Sequence, residues 1–231
     1  ATSIAICAHV DPDGDAIGST LGLAHLLKGC GANVTALVAS ASRAPATYAF
    51  LPGALDVQGA PAIPSVDLFV ALDSPDVKRL GDASQLALGA RRLIVIDHHP
   101  DNRLYGTSNL VDEGAAATGE LIWELLPFLG CTPDATVATC LLTALVTDTG
   151  RFSYGNTTPA ALRHAAEMIE SGANISTIYR HVYESRSPGT LALIAKALGR
   201  LTFANEGHVA YSWLTVEDFD ETGAAPEDAE N

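Results

Sequence analysis

Basic side chains are scarce in this chain. Lysine occurs only at Lys28, Lys78 and Lys196, and Lys plus Arg total 13 against 27 Asp plus Glu, a formal charge of −14. So few cations exclude a broad basic face for duplex DNA, whose phosphates must be neutralised along the groove, and they argue equally against a membrane-surface protein. Long apolar runs are missing too: none approaches the ~20 residues that cross a bilayer. No basic segment followed by a cleavage site marks the chain for export. Cys7, Cys30, Cys131 and Cys140 form no Cys-x-x-Cys pair and lie within or beside apolar segments. They are expected to be buried thiols in a reducing compartment, the cytoplasm. The single Gly-x-Gly, Gly29-Cys30-Gly31, ends a helical run instead of opening one, which rejects a dinucleotide fingerprint. There is no internal repeat.

What is present is concentrated in His9-Val10-Asp11-Pro12-Asp13-Gly14-Asp15-Ala16-Ile17-Gly18-Ser19. This stretch follows a short apolar, strand-like run and precedes a helical pattern at Ile17, Leu21, Leu23, Leu26 and Leu27. Pro12 and Gly14 suit a tight bend between the two. Acids this close repel one another unless cations or hydrogen bonds hold them, and a hard divalent metal favours carboxylate oxygen while accepting imidazole. A calcium loop is rejected, because its obligatory Gly and final Glu are replaced by Ala16 and Gly22. The competing explanation is turn chemistry, with Asp11 bonding its own backbone and Asp15 capping the helix.

Apolar, strand-like runs occupy residues 4–8, 33–38, 66–72 and 93–96, separated by helical patterns at 16–28 and 81–88 and a Pro-bounded stretch at 46–51. Short continuous apolar strands alternating with helices predict a doubly wound α/β fold with a mainly parallel sheet. A helical half follows, with helices expected at 116–129, 134–147, 158–171, 175–184 and 188–203, then a strand at 209–214. The division expected is residues 1–150 for the α/β part, 151–215 for the helical remainder and 216–231 for an acidic linker, where Glu217, Asp218, Asp220, Glu221, Glu227, Asp228 and Glu230 crowd together.

In open α/β sheets ligands bind beyond the carboxyl ends of the strands. The third apolar strand ends in Asp73-Ser74-Pro75-Asp76 and the fourth in Asp97-His98-His99-Pro100, while Asp148-Thr149-Gly150 closes a later apolar segment. His9, Asp13, Asp15, Asp73, His98 and Asp148 therefore form a candidate ligand set whose four carboxylates would balance two divalent ions. Asp73 is best placed to bridge them. An oxygen and nitrogen set without sulfur suits manganese.

These motifs together resemble those of the DHH phosphoesterase superfamily, which includes RecJ-type exonucleases, family II inorganic pyrophosphatases, nanoRNA/pAp phosphatases and cyclic-di-AMP phosphodiesterases. The resemblance spans residues 4–203. Thr47-Tyr48-Ala49-Phe50-Leu51-Pro52-Gly53, Thr118-Gly119-Glu120-Leu121 and Gly150-Arg151-Phe152 are similar to the nanoRNase/pAp-phosphatase branch. It implies that His9 and Asp13 hold one metal, that Asp15, His98 and Asp148 hold the other, and that Asp73 bridges. His99 would then face the phosphate as donor or general acid, with Asp97 orienting it. Arg79 and Arg151 are candidates for phosphate or base contacts, or else for surface ion pairs. His25, His164, His181 and His208 carry no motif and are expected on helix faces or the surface. Many branches of the family add a second domain with a Gly-Gly-Gly-His motif, which is not found here.

The expected activity is manganese-dependent hydrolysis of phosphoester bonds by a hydroxide activated between two metals. The partners expected are short oligoribonucleotides, pAp or linear or cyclic dinucleotides, with no duplex DNA and no membrane; a homodimer is left open. An inorganic pyrophosphatase and a non-catalytic nucleotide-binding fragment are the alternatives.

Overall fold

The computed structural model describes residues 2–39, 44–60 and 64–225. Its centre is a six-stranded parallel sheet of β1 (Ser3–Cys7), β2 (Asn33–Val38), β3 (Gln58–Gly59), β4 (Leu68–Leu72), β5 (Arg92–Asp97) and β6 (Ser108–Val111). The order is β3-β2-β1-β4-β5-β6. Winding therefore reverses between β1 and β4, where Cys7 pairs with Ala71, and that reversal opens a crevice at the carboxyl ends of the two central strands.

Between the strands lie α1 (Gly14–Gly29) and the short α2 (Ser84–Gly89). Then come α3 (Thr118–Leu129), α4 (Ala135–Asp148) and α5 (Pro159–Glu170). Side chains alternate across each strand. Ala5, Cys7, Leu37, Phe69, Ala71, Leu93 and Val95 pack with Leu80, Ala83 and Ala87 on the α2 side. α1 and α3 pack against the strands and against α4. This is the doubly wound α/β architecture the strand pattern predicts.

α1 is buried on nearly every side, and its glycines explain how. A Cβ at Gly18 would lie 2.5 Å from the Cys140 carbonyl oxygen and 2.9 Å from the Ala144 nitrogen of α4. Gly14 and Gly22 are equally tight, with Thr147 at 2.4 Å and Leu141 at 2.5 Å. These glycines fall one turn apart, so the two helix backbones approach along a smooth seam. The N-terminal end of α1 carries Asp15, its N-cap is Asp13, and α4 ends on Asp148. Close packing thus sets the spacing of three carboxylates.

Several elements differ from the sequence expectation. β3 and β6 carry no apolar run: β6 is an exposed edge strand, Ser-Asn-Leu-Val, whose pairing with β5 makes it a strand. The helix expected at 188–203 ends at Gly199 (α7, Pro188–Gly199), after α6 (Ile175–Tyr179). β7 (Thr202–Ala204) and β8 (Val209–Tyr211) form an antiparallel hairpin. Two compact units divide the chain at Ile178/Tyr179, and α5 packs on α4 within the first.

The stretch expected to be a linker begins as a helix, α8 (Val216–Thr222), opened by a capping box between Thr215 and Asp218. Asp218 is buried and paired with Lys196 at 3.1 Å and with Arg200. Of the acids in that stretch, Glu227, Asp228 and Glu230 lie outside the described residues. A further correction concerns cysteine. Cys7 and Cys140 are buried thiols, pushed up to about 12 by burial. Cys30 and Cys131 are joined in a disulfide that ties the end of α1 to the α3–α4 connection across 101 residues. Among the described residues no helix is long and apolar enough to cross a membrane.

Replacing Gly18 by Val should force α1 and α4 apart. Overpacking of this kind costs about 1–3 kcal/mol, and for a chain of this size each kcal/mol lowers Tm by roughly 2–4 °C. Calorimetry of Gly18→Val should show a fall of that order; an unchanged Tm would contradict the close seam.

Candidate metal centre at the sheet switch point

The crevice is lined by the residues that leave β1, β4 and β5. His9 follows β1, and its Nδ1 donates to the Val10 carbonyl at 2.6 Å. That bond leaves Nε2 facing outward, 3.5 Å from Asp73 Oδ2 and 3.9 Å from Asp13 Oδ1. His98 follows β5. Its Nδ1 lies 3.3 Å from the Ala115 carbonyl, and its Nε2 faces Asp73 Oδ1 at 3.5 Å, Asp148 Oδ2 at 3.6 Å and Asp15 Oδ2 at 3.7 Å. An imidazole with one nitrogen on a carbonyl and the other among carboxylates has the arrangement of a metal-ligating histidine. Three sets at this rim, His9/Asp13/Asp73, Asp15/His98/Asp148 and Asp73/His98/His99, each have donor atoms within 4.8 Å of one another.

Asp73 belongs to two of them. It follows β4, the strand at the switch point, and adopts φ +50, a left-handed conformation uncommon outside glycine. Its nitrogen donates to the Ile96 carbonyl at 3.0 Å. Its two oxygens face different histidines, Oδ2 toward His9 and Oδ1 toward His98.

Asp15 is held by groups to which the sequence reading attached no role. The first amides of α3, Thr118 N–H at 2.6 Å and Gly119 N–H at 3.0 Å, donate to its carboxylate, and Ser19 Oγ adds a third bond at 2.7 Å. A helix N-terminus is a natural cradle for an anion. The Thr118-Gly119 pair is visible in the sequence, but only the packing of α3 beside α1 shows what it does. Asp13 caps α1 through Ala16 N–H at 3.0 Å, so it, and not Asp15, makes the capping bond that turn chemistry required.

Asp97 is fully buried at the end of β5, and its Oδ1 accepts from His99 Nδ1 at 2.7 Å, with Oδ2 accepting from Asn102 Nδ2 at 2.6 Å. His99 itself is more open, 39 % exposed, beside Asp73 at 3.5 Å. The residues expected to meet at one rim therefore do so. Arg79 and Arg151 are exposed; the Arg79 carbonyl accepts Val10 N–H at 2.7 Å, and Arg151 follows Gly150 with φ +62. Of the histidines without a motif, His25 bonds the Pro52 carbonyl. His164 lies on a face of α5, partly buried, with its ring 2.9 Å from Glu120, linking α5 to α3.

Electrostatics follow from this crowding. Carboxylates within 4.8 Å repel by about 3.5 kcal/mol at an effective dielectric of ~20. Burial, then the charges of Asp73 and Asp148, push the Asp15 carboxyl well above the usual range. Burial and Asp73 likewise push Asp148 up to about 6. Asp73 is also buried, yet hydrogen bonds from His9 and His98 hold it below the ordinary carboxylate value. The histidines respond in kind. Burial disfavours their charged forms, but Asp73 outweighs it and raises His9 to about 9 and His98 to about 10. Protons stand here where cations would, and the donor set fits a pair of divalent ions.

Residues 3–145 match the model of the DHH family, N-terminal domain. The chain belongs to the DHH family. Asp97-His98-His99, at the end of β5, lies within the matched residues. Two curated relatives are called bifunctional oligoribonuclease and PAP phosphatase NrnA. The one from Thermus thermophilus is 33 % identical over 229 residues, covering 99 % of this chain and 66 % of the relative. The one from Bacillus subtilis is 28 % identical over 192 residues, covering 80 % of this chain and 58 % of the relative. A solved structure of an exopolyphosphatase-related protein from Bacteroides fragilis superposes with TM-score 0.92 at 29 % identity, over all of this chain and 70 % of that one. The fold is also that of a putative family II inorganic pyrophosphatase from Methanococcus jannaschii, with TM-score 0.59 at 16 % identity over 95 % of this DHH chain and 75 % of that one. This chain thus spans from over half to two thirds of the length of the two curated relatives.

With the His9 and His98 pKa values raised to about 9 and about 10, a cation binding at their Nε2 atoms near neutral pH must displace protons. Apparent affinity for manganese should rise about tenfold per pH unit between pH 7 and 8 and level off above the imidazole values. Titration calorimetry in buffers of different ionisation enthalpy should register the released protons; a pH-independent affinity would contradict the assignment.

Proposed function

We propose that this chain is a metal-dependent phosphoesterase acting on short oligoribonucleotides or small nucleotides such as pAp and linear or cyclic dinucleotides. The observation that carries the reading is Asp73, with one carboxylate oxygen 3.5 Å from His9 Nε2 and the other 3.5 Å from His98 Nε2. His9 and Asp13 would hold one divalent cation and Asp15, His98 and Asp148 the other, with Asp73 shared. Manganese is the ion of choice for such an oxygen and nitrogen set. A cation pair there would supply an activated water and neutralise charge on the phosphoryl oxygens.

The chain's own residues supply the remaining steps. His99 presents its imidazole beside Asp73 while Asp97 holds its Nδ1. The hydrogen bond to Asp97 raises the His99 pKa above its ordinary value, which favours the form that carries a proton at Nε2. We assign that proton to the departing ribose oxygen. Arg79 and Arg151, exposed beside segments that line the crevice, are candidates to bind phosphate or base. The scarcity of cations elsewhere favours small substrates over long strands. The names of the two NrnA relatives, oligoribonuclease and PAP phosphatase, support the same substrate class.

The test is turnover of pAp, a diribonucleotide and pyrophosphate with manganese. Hydrolysis of the first two is expected; hydrolysis of pyrophosphate alone would select the pyrophosphatase instead. Asp73→Ala should abolish turnover and weaken both cations, so full metal stoichiometry in that variant would contradict sharing. His99→Ala should lower kcat by about 10²–10⁴ with both cations retained, whereas His98→Ala should lose one. Elemental analysis of the two variants would reveal a reversed assignment.

A further inference from the structure

We infer that Asn102 is a positioning residue that locks the proton-donating imidazole of His99 to the loop carrying Asp73; the inference rests on the phosphoesterase reading above. Asn102 lies in the loop after β5 and is one of the few side chains that touch both strand ends. Its Nδ2 donates to Asp97 Oδ2 at 2.6 Å and to the Ser74 carbonyl at 3.3 Å. Its Oδ1 accepts Leu104 N–H at 2.7 Å, and its own N–H donates to the His99 carbonyl at 3.2 Å. An amide has two donor hydrogens and one acceptor oxygen on the same plane, and all three functions are in use.

Each partner matters to the reaction. Asp97 is fully buried and spends Oδ1 on His98 N–H, His99 N–H and His99 Nδ1. Oδ2 is left to Asn102, so that bond sets the rotation of the carboxylate and with it the direction of the His99 ring. The Ser74 carbonyl follows Asp73 directly. Asn102 and the Tyr105 hydroxyl, at 3.1 Å, both donate to it. Two donors on that carbonyl hold the left-handed turn at Asp73, at φ +50. One side chain therefore couples the groups that must face the same phosphate. In the step it serves, the phosphorus–ribose oxygen bond breaks as the water oxygen bonds to phosphorus and one water proton is released to solvent, while the His99 Nε2 proton passes to the ribose oxygen, leaving His99 neutral with Nδ1 still on Asp97.

Asn102→Leu removes all three functions at similar volume. Asn102→Asp keeps the acceptor for Leu104 N–H, and hence the turn, but lacks the donors. Each variant is to be assayed with manganese against two substrates. pAp expels a ribose hydroxyl, which needs a proton. p-Nitrophenyl phosphate expels a phenolate, which does not. Removing an outer partner of a metal-site residue typically costs 10–100-fold. We expect a fall of about that size in kcat for pAp, with KM and both cations little changed, and little loss with p-nitrophenyl phosphate. In a His99→Ala background Asn102→Leu should add almost nothing. Equal losses on both substrates, or additive losses with His99→Ala, would overturn the coupling. If His99→Ala itself shows no preference between the substrates, the reading of His99 as acid fails instead. A readout free of turnover is the His99 Nδ1 proton in the NMR spectrum. It should be downfield and protected in the unaltered chain and shifted or lost in both Asn102 variants; an unchanged resonance would refute the inference.

Discussion

One carboxylate shared between two imidazoles sets the terms for the first unit. Asp73 can face His9 with one oxygen and His98 with the other only if β1 and β5 flank β4 in parallel, in register, with their carboxyl ends level. The sheet order supplies that arrangement, and the reversal of winding between β1 and β4 leaves the crevice uncovered. Like charges gathered this closely would drive the loops apart in the absence of compensation. Raised histidine pKa values show what compensates in the cation-free chain, and the geometry of the Nε2 atoms shows what would replace those protons.

Around this centre the protein is built for fixed spacing. α1 and α4 meet where Gly14, Gly18 and Gly22 face Thr147, the Cys140–Ala144 backbone and Leu141, and that close approach sets the spacing of Asp13, Asp15 and Asp148. The N-terminus of α3 closes on Asp15 with two amides. Asp97 is fully buried, and among the described residues its side-chain hydrogen bonds go to His98, His99 and Asn102. Buried polar groups of this kind are costly unless bonded, and Asp15 and Asp97 each accept hydrogen bonds on both carboxylate oxygens. The stability they forgo is offset by the apolar core on the α2 side of the sheet.

Much of this was legible in the chain. Short apolar strands ending in Asp or His marked the rim, and His9, Asp13, Asp15, Asp73, His98 and Asp148 were identifiable because each follows, or caps, an apolar run. What was not legible depends on tertiary neighbours. β6 is polar and exposed, so only its partner makes it a strand. Asp218 lies in an acidic stretch that reads as solvated, yet Lys196 and Arg200 draw it inside as α8 forms. The Cys30–Cys131 bond spans 101 residues and has no local signature. Asn102 is an ordinary loop asparagine until Asp97 and Ser74 are seen on either side of it.

The central claim is that the crevice holds two cations with Asp73 between them. Crystals grown with manganese, with diffraction recorded above and below its absorption edge, test that claim most directly. The account predicts two anomalous peaks about 3.5–4 Å apart, one among His9, Asp13 and Asp73 and the other among Asp15, Asp73, His98 and Asp148. A single peak, or none touching Asp73, would contradict it.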